Sequence, residues 1–473
     1  MMLKKNVKNI LYPCVKYMTR SIERSSRLNL DYALWGLQVN ERGHLVIGGC
    51  DCVELAEEYG TPVHIVDSDL LQRNYHAFRE SFTSHDIQVE IYYSYKTNPI
   101  PGILRILHEY GAGAEVISPY ELWLALKSGI SPDLIIYNGP NKSEAGLHSA
   151  IENRIKLINI NSCHEIEMIT HLAEQLGTRV RVGVRLCTSV GWAEQFGFSI
   201  ETGAAFEAFD RLSSLKRIDI EGIHTHLGTN IRNASSYEWA INDICQFMYT
   251  LKEKKGIGIK YLDLGGGFGV PTVRPFHKVE YNFHHIFDVP YIAPRSNNAS
   301  LIETFAEKVV AAVQKGCEKY KLPVPILLFE PGRAMTSNTQ ILLATVGDLK
   351  THQRGKIAMI DAGMNIALPT SWEYHEIFVA NKMASAYQEF YSIVGPICTP
   401  QDVVSKRKKL PELEIGDLVS IMDAGAYFTS FSNDFSFPRP AVVMVSGGRH
   451  RVLRERERYD DMTQLDRVSW SGS

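Results

Sequence analysis

The sequence predicts an α/β fold in which a (β/α)8 barrel comes before an antiparallel β-rich domain. Short apolar stretches alternate with amphipathic helical patterns up to about Thr336, which is typical of parallel strands covered by helices. About eight such units occur, and eight is the number that closes a barrel. After Thr336, Gly, Pro and Asp turns separate the apolar stretches, which favours antiparallel strands. An open doubly wound sheet is the alternative for the first region.

The elements of the barrel are predicted from the period of the apolar residues. The candidate strands are Val63–Val66, Val89–Ser94, Ala114–Val116, Leu134–Tyr137, Leu157–Ile160, Val180–Val184, Ile220–His224, Tyr261–Leu264 and Ile326–Phe329. The helices between them include Pro119–Ser128, Cys163–Leu176 and Ser236–Lys254.

The β-rich domain is predicted to include an early hairpin from Trp35 to Val46, because a barrel has no place for it. The other predicted strands of this domain are Ile341–Asp348, Ile357–Asp361, Tyr391–Val394, Leu418–Met422 and Val442–Val445. The predicted domains are therefore a basic extension (1–30), an N-terminal strand segment of the β domain (31–66), the barrel (67–335), the β domain (336–450) and a charged tail (451–473). Residues 274–300, rich in Pro, His and Asn, are predicted to be a long loop or lid.

The composition is typical of a soluble globular protein, with 45% hydrophobic residues, 22% charged residues and a net charge of −3. The sequence lacks the excess of basic residues that is typical of nucleic-acid-binding proteins. No apolar run in it approaches the roughly 18 residues of a membrane span. The eight cysteines are scattered, as expected of reduced thiols in a cytoplasmic protein, and no metal site is predicted from them. Residues 1–30 are basic and are predicted to be peripheral, with a targeting or membrane-surface segment as the alternative.

A single lysine ends the predicted strand Val89–Ser94. Lys96 stands just before Pro99 and a helical pattern. Barrel enzymes hold their reactive groups at this end of the strands, and a lysine there can form a Schiff base with a carbonyl cofactor. The ordinary alternative is a lysine that only caps the strand.

Three more motifs follow predicted strands. The run Gly265–Gly267 can close its backbone N–H groups on a phosphate, although a tight turn explains it equally well. Glu330–Arg333 (Glu-Pro-Gly-Arg) brings a carboxylate and a guanidinium close together, with a surface ion pair as the alternative. His224 and His226 point to one face of their strand, which admits a zinc site, a flat ring beneath an imidazole, or a core histidine.

Together with the segments Gly395–Asp402 and Asp423–Tyr427, these motifs resemble one family in order and spacing, from about Trp35 to Val445. The chain is similar to the fold-type III pyridoxal-phosphate decarboxylases, the group of diaminopimelate, ornithine and arginine decarboxylases. Further matching segments are Gly113–Val116, Tyr120–Leu122, Asn138–Ser143, Gln195–Phe198 and Asp361–Asn365. The resemblance implies an alanine racemase-like barrel fold, the cofactor pyridoxal 5'-phosphate and decarboxylation of an amino acid.

The resemblance also implies a role for each matched residue. Lys96 would form the Schiff base, and Glu330 would pair with the pyridine nitrogen, so that the ring accepts the electrons released as carbon dioxide leaves. Cys398 would return the proton to Cα, on a loop that reaches the neighbouring subunit of a homodimer. The other implied cofactor contacts are His226, which stacks on the ring, and Thr229, Gly265, Gly266, Gly267, Gly332, Arg333 and Tyr427. Glu115 and Glu121 would lie near the lysine.

The sequence departs from the diaminopimelate and ornithine enzymes in its implied substrate contacts. Leu368 stands where the former carry an arginine, and Thr399 stands where an acidic residue follows the cysteine. The Cys-Thr-Pro-x-Asp form, which ends at Asp402, resembles a specialised-metabolism branch that acts on carrier-tethered or siderophore intermediates. A conjugated amino acid with a neutral distal end is therefore the expected substrate. The alternatives are diaminopimelate, lysine or ornithine decarboxylation, an inactive binding homologue, and a racemase.

Overall fold

The computed structural model describes residues 22–23, 28–287, 289–295, 299–352 and 355–467. It divides into two compact units, one of which consists of Leu71–Val270 and Ala299–Thr336. The second unit contains the described residues outside those two ranges. Most of the predicted basic extension 1–30 and the end of the predicted charged tail 451–473 lie outside the described residues.

The strands and helices have the following bounds. The strands are β1 (Gln38–Val39), β2 (Leu45–Ile47), β3 (Cys50–Asp51), β4 (Val63–Asp67), β5 (Val89–Ser94), β6 (Gly113–Val116), β7 (Ile135–Tyr137), β8 (Leu157–Ile160), β9 (Val180–Cys187), β10 (Phe198–Ser199), β11 (Ile218–His224), β12 (Tyr261–Asp263), β13 (Arg274–Pro275), β14 (Ile326–Phe329), β15 (Gln340–His352), β16 (Gly355–Ile360), β17 (Glu373–Tyr374), β18 (Ile377–Val379), β19 (Glu389–Val394), β20 (Val403–Leu410), β21 (Leu418–Ile421), β22 (Ala441–Ser446) and β23 (Arg449–Arg454). The helices are α1 (Cys52–Tyr59), α2 (Ser68–Thr83), α3 (Pro101–Glu109), α4 (Pro119–Lys127), α5 (Glu144–Glu152), α6 (Cys163–Gln175), α7 (Ala204–Ser213), α8 (Ser235–Lys255), α9 (Lys278–Phe287), α10 (Ile302–Tyr320), α11 (Arg333–Thr336), α12 (Met364–Ala367) and α13 (Tyr459–Thr463).

The first unit is a closed barrel of eight parallel strands, which confirms the predicted (β/α)8 fold. The strand order is β9-β11-β12-β14-β5-β6-β7-β8, and the pairing of β8 with β9 closes the ring. A ninth short strand, β10, runs parallel to β9. The carboxyl ends of all eight strands therefore meet at one mouth, where barrel enzymes carry their active sites.

Serine residues cap three of the helices that follow barrel strands. Ser118, Ser143 and Ser162 each stand at an N-cap, where the side chain accepts a backbone hydrogen bond from the first helical turn. Such a cap satisfies one of the N–H groups that a helix leaves without a partner. The polar residues that follow β6, β7 and β8 are therefore held at defined positions at the mouth of the barrel.

The barrel interior changes in chemistry along its axis. An apolar cluster of strand side chains fills it at one level: Tyr92, Ile136, Leu157, Tyr261 and Leu328. Polar side chains from the carboxyl ends of the strands form a second set, and all of them are buried: Glu115, Asn138, Asn159, His224, Asp263 and Glu330. Several of them hydrogen-bond to one another: Asn138 donates to Glu115 and Glu330 and accepts from Asn159.

The second unit is built around the long strand β15, which pairs with β16, β21 and β4. Eight of the nine candidate strands lie in the barrel, whereas Val63–Val66, which falls in the segment 31–66 predicted for the β domain, does not. It forms β4, which lies between β15 and β22 in the sheet of the second unit. The sequence reads equally well as a barrel strand because β4 is buried along its whole length.

The predicted early hairpin is confirmed, since β1 pairs antiparallel with β2 across the turn at Asn40–Gly43. It belongs to a small three-stranded sheet, β1-β2-β3. The predicted loop at 274–300 is wrong in part, because α9 lies within it. The strands β20 and β23 were missed because both are rich in Lys and Arg. They are the two ends of their sheet path, where charged residues are common.

Candidate active site

Lys96 lies at the mouth of the barrel, in a single 3-10 turn directly after β5. Its Nζ donates a hydrogen bond to Oε2 of Glu115 on β6 at 2.8 Å. The lysine side chain is 32% exposed, whereas Glu115 is fully buried. The structure thus gives the predicted Schiff-base lysine a buried counter-ion and leaves it within reach of a small molecule.

Two glutamates near this lysine differ in environment. Glu115 also accepts a hydrogen bond from Oγ of Ser94 at 2.6 Å. Glu121 lies in the first turn of α4 and accepts a hydrogen bond from the backbone N–H of Ile117 at 2.7 Å. Burial and the negative charge of Glu115 raise the pKa of Glu121 to about 7. Glu121 is thus the carboxyl group of this region that titrates near neutral pH.

Glu330 follows β14 and is 2% exposed. Its Oε1 accepts a hydrogen bond from Nδ2 of Asn138 at 2.5 Å and lies 3.7 Å from Nε2 of His224. Burial alone would raise the pKa of Glu330, but His224, Lys96 and a hydrogen bond with Asp263 together hold it below its usual range. Glu330 is therefore ionised, as pairing with a protonated pyridine nitrogen requires.

Asp263 complements Glu330. It ends β12, is fully buried, and accepts a hydrogen bond from the backbone N–H of Gly265 at 2.9 Å. Burial and the negative charge of Glu330 raise the pKa of Asp263 well above its usual range. Two close carboxyl groups in a dry interior cannot both ionise at low cost, so Asp263 holds the proton and Glu330 the charge.

The two histidines have different neighbours. His224 has two carboxyl neighbours. One ligand atom each of His224, Asp263 and Glu330 lies within 4.8 Å of the other two, a spacing that a metal ion could also use. The amide of Asn138 already donates to Glu330, which competes with a metal there.

His226 accepts a hydrogen bond at Nδ1 from the Gly266 N–H at 3.4 Å. Burial and the positive charge of Lys96 lower its pKa to about 3, so the ring is neutral and suited to lie against a flat ring.

The glycine run after β12 makes a cradle that no larger residue fits. A Cβ on Gly266 would lie 2.2 Å from the carbonyl oxygen of Glu330, and one on Gly267 would lie 2.2 Å from that of Gly228. Gly265 and Gly267 have φ of +67° and +90°, which L-residues rarely adopt. Backbone N–H groups can approach a phosphate closely only where side chains are absent.

The remaining predicted cofactor contacts of the barrel are Gly332, Arg333 and Thr229. Gly332 is close to Thr97, because a Cβ on it would lie 2.0 Å from Thr97 Oγ1. Arg333 is 5% exposed and begins α11. Thr229 is exposed and lies five residues after the end of β11 and three residues after His226. The three residues stay predictions as cofactor contacts, Arg333 as a phosphate ligand.

The other predicted site residues lie in the second unit. Cys398 is exposed in the turn before β20, and the hydroxyl of Thr399 donates to Oε1 of Gln401 in the same turn. The carboxylate of Asp402 is 3% exposed and accepts hydrogen bonds from the backbone N–H groups of Met364 and Ile397, both at 2.7 Å. These bonds give Asp402 the task of shaping the turn.

Two more residues of the second unit were predicted to reach the site. Tyr427 is half-buried with φ of +71°, and its ring centroid is 6.1 Å from that of Phe431. Leu368 is half-buried and begins a 3-10 turn that ends at Ser371. Leu368 and Tyr427 stay predictions as substrate and cofactor contacts.

Sequence reasoning gave no role to three residues of the polar cluster, namely Asn138, Asn159 and Asp263. Nδ2 of Asn159 donates to Oδ1 of Asn138 at 2.8 Å and to Oδ2 of Asp263 at 3.3 Å. Each lies in or just after an otherwise apolar strand. A polar residue at the carboxyl end of such a strand is the pattern that could have indicated them.

These observations define a class of protein. A closed barrel with a strand-end lysine, a buried ionised carboxylate, a neutral imidazole and a glycine cradle suits an aldehyde cofactor with a basic ring and a phosphate. The residues present therefore fit pyridoxal 5'-phosphate, which Lys96 would hold at the carbonyl, Glu330 at the ring nitrogen and the glycine run at the phosphate.

Comparison with known proteins agrees with this class. The family model for the pyridoxal-binding domain of pyridoxal-dependent decarboxylases matches residues 68–337. A diaminopimelate decarboxylase of Methanothermobacter thermautotrophicus is 30% identical over 442 residues, which are 91% of this chain and 97% of the relative. One from Bacillus subtilis is 29% identical over 446 residues, with coverages of 90% and 96%. Among solved structures, the M. jannaschii diaminopimelate decarboxylase in co-complex with L-lysine has a TM-score of 0.82 and 29% identity, and the match covers 92% of this chain and 98% of that one.

This chain belongs to the pyridoxal-dependent decarboxylase family of fold type III. It is a pyridoxal-phosphate-dependent amino-acid decarboxylase, as its relatives are. Of the helices that the structure describes, none has the length and apolar character needed to cross a membrane.

Proposed function

We propose that the chain decarboxylates an amino acid with Lys96, Glu330 and Cys398 as its catalytic residues. The observation that carries this proposal is the cluster at the mouth of the barrel, where Lys96 meets Glu115 and the Asn138 amide connects Glu115 to Glu330. Lys96 holds the cofactor, and the substrate amine takes its place. Pyridoxal phosphate supplies the electron sink for the departing carboxyl group. Cys398 Sγ then delivers a proton to the α-carbon.

The first candidate substrate is diaminopimelate. The support is the length of the match, since the named diaminopimelate decarboxylases are covered almost end to end. A solved relative of this name is in co-complex with L-lysine. Diaminopimelate has a second charged end, and it would be decarboxylated at one α-carbon only.

The second candidate is an amino acid whose distal end is neutral, such as a conjugated or carrier-tethered one. The residues that favour it are Leu368 and Thr399. By the family resemblance, they stand where the diaminopimelate and ornithine enzymes carry charged residues. Thr399 is moreover engaged with Gln401 within its own turn. A neutral pocket would bind a free ammonium or carboxylate poorly, because desolvating a charge without a partner is costly.

The discriminating experiment measures carbon dioxide release by the purified holoenzyme. The substrates are meso-diaminopimelate, L-lysine, L-ornithine and their N-acylated or amidated derivatives, with Lys96→Ala as the control. If free meso-diaminopimelate has the highest kcat/KM, the first candidate stands and the second fails. Release from the derivatives alone selects the second. Racemisation without carbon dioxide release would contradict both, and so would a Lys96→Ala protein that keeps activity.

We further propose that two chains form a homodimer in which Cys398 acts in the neighbouring subunit's site. The support is the family resemblance of the loop Gly395–Asp402. Cys398 is exposed in the single chain, as a residue donated to a partner must be. A dimer with two shared sites suits two-fold symmetry.

A further inference from the structure

Asn138 stands at the centre of the polar cluster, although the proposed chemistry assigns it no task. It is the first residue after β7 and is 4% exposed. Its backbone N–H donates to the carbonyl of Val116 at 2.8 Å, which continues the pairing of β6 with β7 by one residue. The position of its side chain is therefore set by the barrel.

The amide of Asn138 touches both carboxylates beside the lysine. Nδ2 donates to Oε1 of Glu115 at 3.0 Å and to Oε1 of Glu330 at 2.5 Å. Oδ1 accepts a hydrogen bond from Nδ2 of Asn159 at 2.8 Å. The orientation of the amide is thereby determined, because its two N–H groups face acceptors and its oxygen faces a donor.

This arrangement places one neutral donor between two carboxyl groups. Glu115 and Glu330 share one neutral group that donates to both, and a neutral donor stabilises each ionised carboxylate without pairing off its charge. Both charges then act on the nitrogen of Lys96, which is 2.8 Å from Glu115. The other titratable or charged groups that face the cluster are Glu121, Arg185, His224, His226 and Asp263.

We propose that Asn138 is a positioning residue that keeps Glu115 and Glu330 ionised together and so holds a positive charge on the nitrogen of Lys96. This inference rests on the cofactor and not on the choice of substrate. It predicts that loss of the amide weakens the hold on that proton, because a carboxylate without its donor takes up a proton more readily.

The test is a pH titration of the absorbance of the lysine-bound cofactor in the holoenzyme. Asn138→Leu removes both donors at similar volume. We expect its titration midpoint to fall by about one pH unit, the size of a lost hydrogen bond to a charged group. We also expect kcat to fall about tenfold or more while KM changes less than about threefold, since substrate contacts remain.

Asn161→Leu is the matched control. Asn161 is 6% exposed and lies one residue after β8, and its side chain bonds the backbone of Pro140, Gln195 and Gly197. Its loss should leave the midpoint unchanged even where it lowers the melting temperature. A purely structural role for Asn138 would give the same result in both variants.

Asn138→Ser keeps one hydroxyl donor and should give a smaller shift in the same direction. It decides the question if Asn138→Leu does not fold. A midpoint equal to that of the wild type, or an upward shift, would overturn the proposal. If the wild type binds the cofactor but releases no carbon dioxide from any substrate, the proposed function fails while this titration still gives its answer.

Discussion

At the scale of single residues, the carboxyl groups of the barrel mouth are separated by environment. Glu330 has a pKa held below its usual range by His224, Lys96 and Asp263 against the effect of burial. Glu121 has its pKa raised to about 7 by burial and by the charge of Glu115. Two glutamates thus differ in behaviour: Glu330 is a permanent anion, whereas Glu121 titrates at neutral pH.

Glu121→Gln should change how stability depends on pH. The folded pKa of about 7 exceeds the unfolded value of 4.5, so the folded state holds an extra proton between these values. Stability from this group is full below pH 4.5 and is lost as pH rises through 7. In the variant, the fall in unfolding free energy from about pH 5 to 8 should be smaller by up to about 3 kcal/mol.

Chemical unfolding at the two pH values measures this effect. Glu109→Gln, on the exposed part of α3, is the control and should behave as the wild type. A Glu121→Gln protein with the wild-type pH dependence would show that Glu121 is already ionised at acidic pH.

At the scale of elements, the turns after the barrel strands carry the site residues, and the strands fix the positions of these turns. The turn after β12 has room only for glycine, and the turn after β7 is tied to α6 by a buried ion pair. Lys142 Nζ donates to Oε2 of Glu165 at 2.9 Å and to the carbonyls of Gly139 and Asn159. These contacts fix the loop that carries Asn138.

Gly266→Ala should reduce cofactor affinity by about tenfold or more, because the new methyl group collides with the backbone of Glu330 and the cradle must shift. Gly258→Ala is the matched control, since nothing lies within 4 Å of its added Cβ. Equilibrium binding of pyridoxal phosphate to the two apoproteins measures the difference. Equal affinities would show that the run Gly265–Gly267 does not hold the phosphate.

Lys142→Met should destabilise the protein by about 3–5 kcal/mol, because it removes the counter-ion of the buried Glu165. Arg105→Met removes one member of the exposed pair with Glu109 and should cost about 1 kcal/mol or less. Urea unfolding of both variants gives the comparison. Similar losses in the two would contradict the contribution assigned here to the buried ion pair of Lys142 and Glu165.

At the scale of the whole molecule, the proposed catalytic residues come from two units. Lys96 and Glu330 belong to the barrel, whereas Cys398 belongs to the unit built around β15. A proton donor carried by a separate unit can come from a second chain, which links catalysis to assembly.

Mixing two inactive variants tests this arrangement. Lys96→Ala and Cys398→Ala should each be inactive alone. After dissociation and reassociation of an equal mixture, activity should return to about a quarter of the wild-type value, because half of the dimers are mixed and each has one intact site. Mixtures that stay inactive, together with a wild-type protein that sediments as a monomer, would contradict the shared site.

The sequence predicted the barrel strands well because a buried parallel strand has a local signature, a short apolar run followed by a turn and a capped helix. It failed at β20 and β23, where Lys and Arg at sheet edges conceal the strand pattern. The apolar run Val63–Val66 has the same signature as a barrel strand, since burial on both faces looks the same in a barrel and in the centre of another sheet.

By itself, the sequence determined the order of the barrel elements, the strand-end position of Lys96 and the motifs that resemble the family, because all of these are local in the chain. Only the tertiary structure decided which polar residues meet. Asn138 and Glu330 are 192 positions apart, yet their side chains share a hydrogen bond. The reason is the closure of the barrel between β8 and β9, which gathers the ends of eight strands into one ring. No local pattern encodes that contact, and the proposed role of Asn138 depends on it.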